Sequence, residues 1–266
     1  MNINPISFPN LNLTFNIDPI AISIFNIHIY WYGIIIVTGI LLALFIAKKN
    51  DGLFKIKYED VFDFALIAVF TGIICARLYY VLFNLEYYLK NPSEIFAIWN
   101  GGLAIYGGII GGTVTAVAFC KIRKIKFLNF GDYLVPLLAL CQSIGRWGNF
   151  VNQEAYGSRT ESFFKMRIFD KGIGEFINVH PTFLYESVLN FSLFIILMYL
   201  SKKKKFDGQL ICTYFIVNGM GRFFIEGLRV DSLMLANFRV SQVFSAVLVI
   251  FSIIMYIIGE KCRPKV

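Results

Sequence analysis

Seven apolar stretches divide the chain, and they limit its fold more than any other feature. They cover residues 29–47, 61–83, 103–120, 133–145, 182–200, 210–225 and 240–258. The first is 19 residues long, enough for one helix to cross about 30 Å of hydrocarbon. The second carries Asp63 and Arg77, and the third is rich in glycine. The fourth is short and contains Pro136, so it either extends back through Asn129 or does not fully span. Hydrophobic residues make up 57% of the 266, and charged residues only 16%, against roughly 25% in soluble domains. A soluble chain cannot hide so much apolar surface, and disorder requires the opposite composition. The expected fold is an all-α integral membrane protein with about seven transmembrane helices, one transmembrane domain over residues 1–266.

The formal charge of +8 would suggest nucleic acid in a soluble protein, but its distribution points elsewhere. Lys48, Lys49, Lys55 and Lys57 form one cluster, and Lys121, Arg123, Lys124 and Lys126 a second. Lysines 202–205 form a third, and Lys261, Arg263 and Lys265 a fourth. Each abuts the end of an apolar stretch, as cytoplasmic loops do under the positive-inside rule. Alternate threading then puts the N-terminus outside and the C-terminus in the cytoplasm, with no nucleic-acid partner. The polar segment 146–181, with Gly157, Gly172 and Gly174 as turn signals, becomes a small extracytoplasmic loop or cap. The five cysteines are scattered singly with no CxxC pair, so no metal or cofactor is expected.

A charge at the centre of a bilayer costs about 2.5–3.5 kcal/mol on insertion scales, so misplaced ones need a reason. Arg77, Arg146, Glu154, Arg222, Glu226 and Arg229 stand within or at the ends of the stretches, nearly all at one depth on the outer side. Such a set suits an outward-facing polar cavity holding an anion, since the arginine fork can donate two parallel hydrogen bonds to a phosphate. The alternative is local: Arg222 and Glu226 stand four apart and can pair on one helix face, and such side chains can snorkel to the headgroups. Two readings also fit the glycines. Gly108 and Gly112 have the spacing of a helix-packing pair, while Gly101 to Gly108 can form a loop dipping into a cavity. His180 is either a proton carrier or a hydrogen-bonded helix start. Motifs for serine hydrolysis, zinc proteolysis and nucleotide phosphate binding are absent.

The run Gly145-Arg146-Trp147-Gly148-Asn149-Phe150-Val151-Asn152-Gln153-Glu154-Ala155-Tyr156-Gly157 resembles the signature of prolipoprotein diacylglyceryl transferases. The likeness extends over nearly the whole chain. Trp31-Tyr32-Gly33, Ala76-Arg77 with Tyr80-Val81, and Gly101-Gly102-Leu103 with Tyr106-Gly107-Gly108 are similar to the family's motifs. So are the run from His180 through Pro181 to Glu186, and Gly221-Arg222 through Glu226 with Arg229. The resemblance implies a multi-pass enzyme of the bacterial plasma (inner) membrane. Its partners would be phosphatidylglycerol, prolipoprotein signal peptides with a lipobox cysteine, and membrane lipid. It would move the diacylglyceryl group of phosphatidylglycerol onto the cysteine thiol, forming a thioether and releasing glycerol phosphate.

Under that resemblance Arg146 and Arg222 bind and stabilise the phosphate. Asn149, Glu154 and Gly157 form the site, and Tyr32 is part of its wall. Arg77, Arg229, Gly101 and Gly102 join the substrate-binding set. Many family members have histidine where this chain has Tyr106. Tyrosine, with a pKa of about 10, is a poor base at neutral pH, so thiol deprotonation rests on more than position 106. His180, Glu226 and the arginine field are the further candidates. A transporter of an anionic or lipid substrate would also want arginines in a cavity, although related halves are not evident in the sequence. A different membrane lipid transferase is a second alternative.

Overall fold

The computed structural model describes residues 5–25, 27–170, 172–230, 234–235 and 238–262. Its helices are α1 (Trp31–Lys49), α2 (Tyr58–Leu82), the short α3 (Leu85–Lys90), α4 (Ile105–Arg123), α5 (Phe127–Asn152), α6 (Thr182–Ser201), α7 (Gln209–Leu228) and α8 (Val240–Lys261). Among the described residues six of these, all but α3 and α7, are long and apolar enough to cross a membrane. Helix α7 is less apolar because Asn218, Arg222 and Glu226 interrupt it. The short fourth stretch belongs to a helix of 26 residues that begins at Phe127, passes through Pro136 and ends at Asn152.

Burial is inverted relative to a soluble domain. On α8, Ser245 and Ser252 are buried while Val247, Ile250, Phe251 and Ile254 are exposed. Arg77, Asp132, Glu186, Asn190, Gln209 and Glu226 are also buried. Polar groups turn inward where protein partners replace water, and apolar groups face lipid. The chain is a multi-pass integral membrane protein.

The chain divides into two compact units, one from Met1–Ile46 with Gly131–Val266 and one from Ala47–Phe130. In the second, α2 and α4 run antiparallel in close contact. A Cβ at Gly111 would lie 2.6 Å from the Cys75 Cβ, and one at Gly107 would strike the Cys75 carbonyl oxygen. The packing pair is therefore Gly107 and Gly111, while Gly112 faces open space and Gly108 has only ordinary contacts. Of the two glycines whose sequence context suits packing, Gly111 and Gly112, the first lies in the seam, and its partner at the same spacing is Gly107 rather than Gly108. Thr71 and Thr115 join their hydroxyls at 2.8 Å across the same seam, and Arg123 pairs with Asp60 and Asp63.

In the first unit, small antiparallel sheets accompany the helices, a feature that hydropathy alone left out. Strands β1 (Ile6–Phe8), β2 (Leu13–Phe15), β5 (Met166–Asp170) and β6 (Glu175–Val179) form one sheet in the order β2-β1-β5-β6. Strands β3 (Ile20–Ile24) and β4 (Ile27–Tyr30) form a hairpin that leads into α1, and β7 (Met234–Leu235) pairs with β8 (Phe238–Arg239) before α8. Ile6, Phe8, Met166, Ile168, Ile177 and Val179 bury one face of the large sheet against Phe150, Val151 and Phe183. The polar segment expected as a cap over 146–181 starts later, because residues 146–152 complete α5. Gly172 and Gly174 make the β5–β6 turn, their N–H groups bonding Asp170 at 2.8 Å each. Beside the hairpin, Lys165 and Asn178 hold Glu161 at 2.5 and 3.0 Å and keep its carboxyl below the usual range.

The Asp132 carboxylate caps α7. It accepts the N–H groups of Gly208, Leu210 and Ile211 at 2.7–3.0 Å and the Lys204 ammonium at 2.8 Å. A carboxylate suits the positive end of a helix, and this one is fully buried. It fixes the start of the helix that carries Asn218, Arg222 and Glu226.

Candidate active site

The Glu186 carboxylate, with 6% of its side chain exposed, organises the site. It stands on the first turns of α6, and no buried charge persists in an apolar helix without partners. The Arg146 guanidinium, from α5, forms an ion pair with its Oε2. The Arg222 Nη1, from α7, donates to its Oε1 at 3.1 Å, and the Arg229 Nη1 lies 3.7 Å from the same oxygen. Arg222 also reaches Glu226, its Nη2 lying 2.9 Å from Oε2. That contact is electrostatic rather than an aligned hydrogen bond, and Glu226 Oε2 is a buried oxygen with no aligned donor among the described residues. The Glu226 carbonyl accepts from Arg239.

Three guanidiniums thus gather on two buried carboxylates. Arg146 and Arg222 each keep 29% of the side chain exposed. Asn149 extends the group outward, its Oδ1 lying 3.3 Å from Arg146 Nη1 and its Nδ2 donating to Glu154 Oε1 at 2.9 Å. Positive charges outnumber negative ones by one in the inner cluster, and adding Arg239 and Glu154 leaves that surplus unchanged. The guanidiniums are held in place by carboxylates yet keep exposed donors. Such an arrangement can receive one anionic group of matching geometry.

The glycines of the signature position this cluster. A Cβ on Gly148 would collide with the Tyr32 ring, so the tyrosine packs against α5 two residues on from Arg146. Gly157 donates to the His180 carbonyl at 3.0 Å and bridges the Arg229 backbone. A Cβ there would stand 2.7 Å from the His180 Cβ and 3.1 Å from the Leu228 oxygen. Its bareness lets Arg229 approach. His180 is occupied locally, its Nδ1 sharing a 3.3 Å hydrogen bond with the Tyr185 hydroxyl.

The expected residues of the second unit form a different arrangement. Arg77 is buried and donates to four backbone carbonyls: Nε to Ile95 at 2.9 Å, Nη1 to Gly101 at 2.8 Å and Gly102 at 2.9 Å, and Nη2 to Glu94 at 2.5 Å. Its guanidinium carbon lies 5.2 Å from the Tyr88 ring centre and 6.0 Å from that of Tyr80. Four of five N–H donors are spent on the chain itself, so the task the structure gives Arg77 is to hold a loop. Gly101 and Gly102, at φ +85° and +71°, turn their carbonyls toward it, and a side chain on Gly102 would strike the guanidinium. Around this knot lies a cavity of about 510 Å³ lined by Tyr80, Asn84, Tyr87, Tyr88 and Glu94 among others. There the Tyr87 hydroxyl donates to Glu94 at 2.7 Å, which pushes the phenol's pKa up. Tyr106 opens α4, partly exposed, with its ring 6.4 Å from that of Tyr79.

Sequence reasoning did not assign Glu186, although a carboxylate inside an apolar stretch was visible. The signal was its cost in lipid, and it stands four residues after Thr182 in a motif already quoted.

A sequence profile of the family described as prolipoprotein diacylglyceryl transferase matches residues 19–258. A Clostridioides difficile protein is 46% identical over 244 residues, covering 92% of this chain and 96% of that one. A Finegoldia magna protein is 45% identical over 245 residues, and a Streptococcus mutans protein 47% over 250, each with the same coverage. All three are named phosphatidylglycerol–prolipoprotein diacylglyceryl transferase.

Proposed function

Since the chain belongs to the prolipoprotein diacylglyceryl transferase family, we propose that it transfers the diacylglyceryl group of phosphatidylglycerol to the lipobox cysteine of prolipoprotein signal peptides. The thiol sulfur forms a bond to the glyceryl carbon that carries the phosphate ester. The C–O bond to phosphate breaks, and glycerol phosphate leaves with the bonding electrons. The observation that carries this reading is the gathering of Arg146, Arg222 and Arg229 on Glu186.

The charge arithmetic suits the reaction. A phosphodiester carries one negative charge, which the cluster's surplus of one matches. As the ester bond breaks, a second charge builds on the phosphate oxygen. Fixed guanidiniums then stabilise the transition state more than the bound lipid. The buried glutamates hold those guanidiniums in place beforehand. Asn149, Glu154, Gly157 and Tyr32 shape the same site.

The thiol, with an ordinary pKa of about 8.5, reacts as thiolate. In our reading the cluster's positive surplus favours the thiolate, and Glu226 Oε2, which lacks an aligned donor, accepts the proton. His180 supports the site through its bond to Tyr185, and Tyr106 does not serve as the base, since a phenol ordinarily has a pKa of about 10. The remaining features of this reading are seven spans in a bacterial inner membrane, with the N-terminus outside and the C-terminus in the cytoplasm. The transporter reading loses ground because the relatives are named as transferases.

The test is direct. Purified protein in phosphatidylglycerol micelles, mixed with a lipobox peptide, is expected to yield a peptide heavier by one diacylglyceryl group. An unmodified peptide in the presence of folded protein contradicts the proposal.

A further inference from the structure

Below the arginines lies a ladder of uncharged polar side chains that the reaction above does not use. One helical turn along α5 from Arg146 stands Gln142, one turn along α7 from Arg222 stands Asn218, and one turn along α6 from Glu186 stands Asn190. A further turn along α7 stands Tyr214. The Tyr214 hydroxyl donates to Gln142 Oε1 at 2.8 Å, and Asn218 Nδ2 donates to Asn190 Oδ1 at 2.8 Å and lies 3.5 Å from Gln142 Oε1. Asn190 Nδ2 donates to the Glu186 backbone carbonyl at 2.8 Å, one turn back on the same helix.

Two groups in this network have no protein partner among the described residues. Gln142 Nε2 has no acceptor and Asn218 Oδ1 has no donor. Both side chains are partly exposed, whereas Asn190 and Tyr214 are buried. Neither atom is among the buried polar atoms that lack a partner, so both keep accessible surface, and the spare donor and acceptor are open to a ligand. Their chemistry is specific: one neutral donor and one neutral acceptor, side by side, on residues one helical turn from Arg146 and Arg222.

We propose that this ladder binds the hydroxyls of the lipid's glycerol headgroup, so that Gln142 and Asn218 select a polyol phosphodiester over other phospholipids. The proposal rests on the transferase reading and names the part of the lipid that the arginines leave unread. A hydroxyl both donates and accepts, and so satisfies Asn218 Oδ1 and Gln142 Nε2 together. An ester carbonyl of the diacylglyceryl half only accepts and would leave Asn218 unmet. An ethanolamine ammonium only donates, and it would sit beside a cluster with surplus positive charge.

The test compares two lipids of equal phosphate charge, phosphatidylglycerol and phosphatidylpropanol, which lacks the hydroxyls. Native mass spectrometry of the detergent-solubilised protein reads the ratio retained. Wild type is expected to prefer phosphatidylglycerol by about tenfold, the scale of one or two hydrogen bonds. Asn218→Leu and Gln142→Leu, close in volume, should each bring the ratio toward one while phosphatidylpropanol binding is unchanged. Lack of preference in the wild type overturns the proposal, as does an unchanged ratio in both variants. An equal loss of both lipids also overturns it, because that marks a purely structural ladder. Thioether formation is read separately in the same samples. Its absence, with the lipid preference intact, would strike the transferase reading and leave the headgroup site standing.

Discussion

Arg77 and Arg222 are both arginines on long helices of a membrane protein, both belong to motifs shared with one family, and their surroundings differ completely. Arg77 gives four hydrogen bonds to backbone carbonyls and meets no carboxylate in doing so. Arg222 rests on two buried carboxylates and keeps part of its surface open. Carbonyls absorb donors and leave the net charge in place, embedded in a loop it organises. Carboxylates fix the guanidinium, and a cluster with one cation to spare still attracts an anion. The type of partner, more than the residue type, separates an arginine whose donors are spent from one that keeps donors to offer.

The largest effect should fall on the binding cluster. Arg146→Ala and Arg222→Ala are each expected to lower diacylglyceryl transfer by about a hundred- to a thousandfold, the usual loss for a transition-state donor. Each removal also takes a partner from the buried Glu186, so the unfolding temperature should fall as well, and transfer is compared per folded molecule. Transfer near the wild-type rate in either variant would make the two arginine environments equivalent in function.

Arg77→Lys should cost stability and leave transfer largely intact. A lysine cannot make the fork of bonds to Glu94, Ile95, Gly101 and Gly102. Stability is expected to fall by about 2 kcal/mol, the scale of a charged hydrogen bond, read as a lower unfolding temperature, with transfer per folded molecule within a fewfold of wild type. Gly157→Ala should act between these limits. Its Cβ would crowd His180 and Leu228, displace Arg229 and slow transfer by about tenfold through misplacement alone.

The smallest contrast lies in the α2–α4 seam. Gly107→Ala should destabilise by about 1–3 kcal/mol through overpacking, and Gly112→Ala, facing open space, by less than about 0.5 kcal/mol. Equal effects on detergent unfolding would mean that the register seen between Gly107, Gly111 and Cys75 is wrong.

Hydropathy located the long helices because lipid demands long apolar runs, and the misplaced charges located Arg146, Arg222, Glu226 and Arg229 because each is costly there. The β1–β5 pairing was not legible, since Ile6 to Phe8 and Met166 to Asp170 are far apart in sequence and too short to show a period. Lys204 was counted with the topology-setting lysines, yet it is largely buried on Asp132, a contact that sequence spacing does not reveal. Arg77 and Arg222 carry the same charge in the sequence. Their partners separate them: four backbone carbonyls for Arg77, two of them turned inward by the positive φ of Gly101 and Gly102, and two carboxylates for Arg222.

Phosphorus NMR of phosphatidylglycerol titrated with protein reads most directly whether the cluster on Glu186 grips the lipid phosphate. A resonance shift with wild type and with Arg77→Lys, abolished in the Arg146→Ala, Arg222→Ala double variant, is the predicted result. An undiminished shift in that double variant, or its loss in Arg77→Lys alone, would contradict the assignment of the phosphate to these arginines.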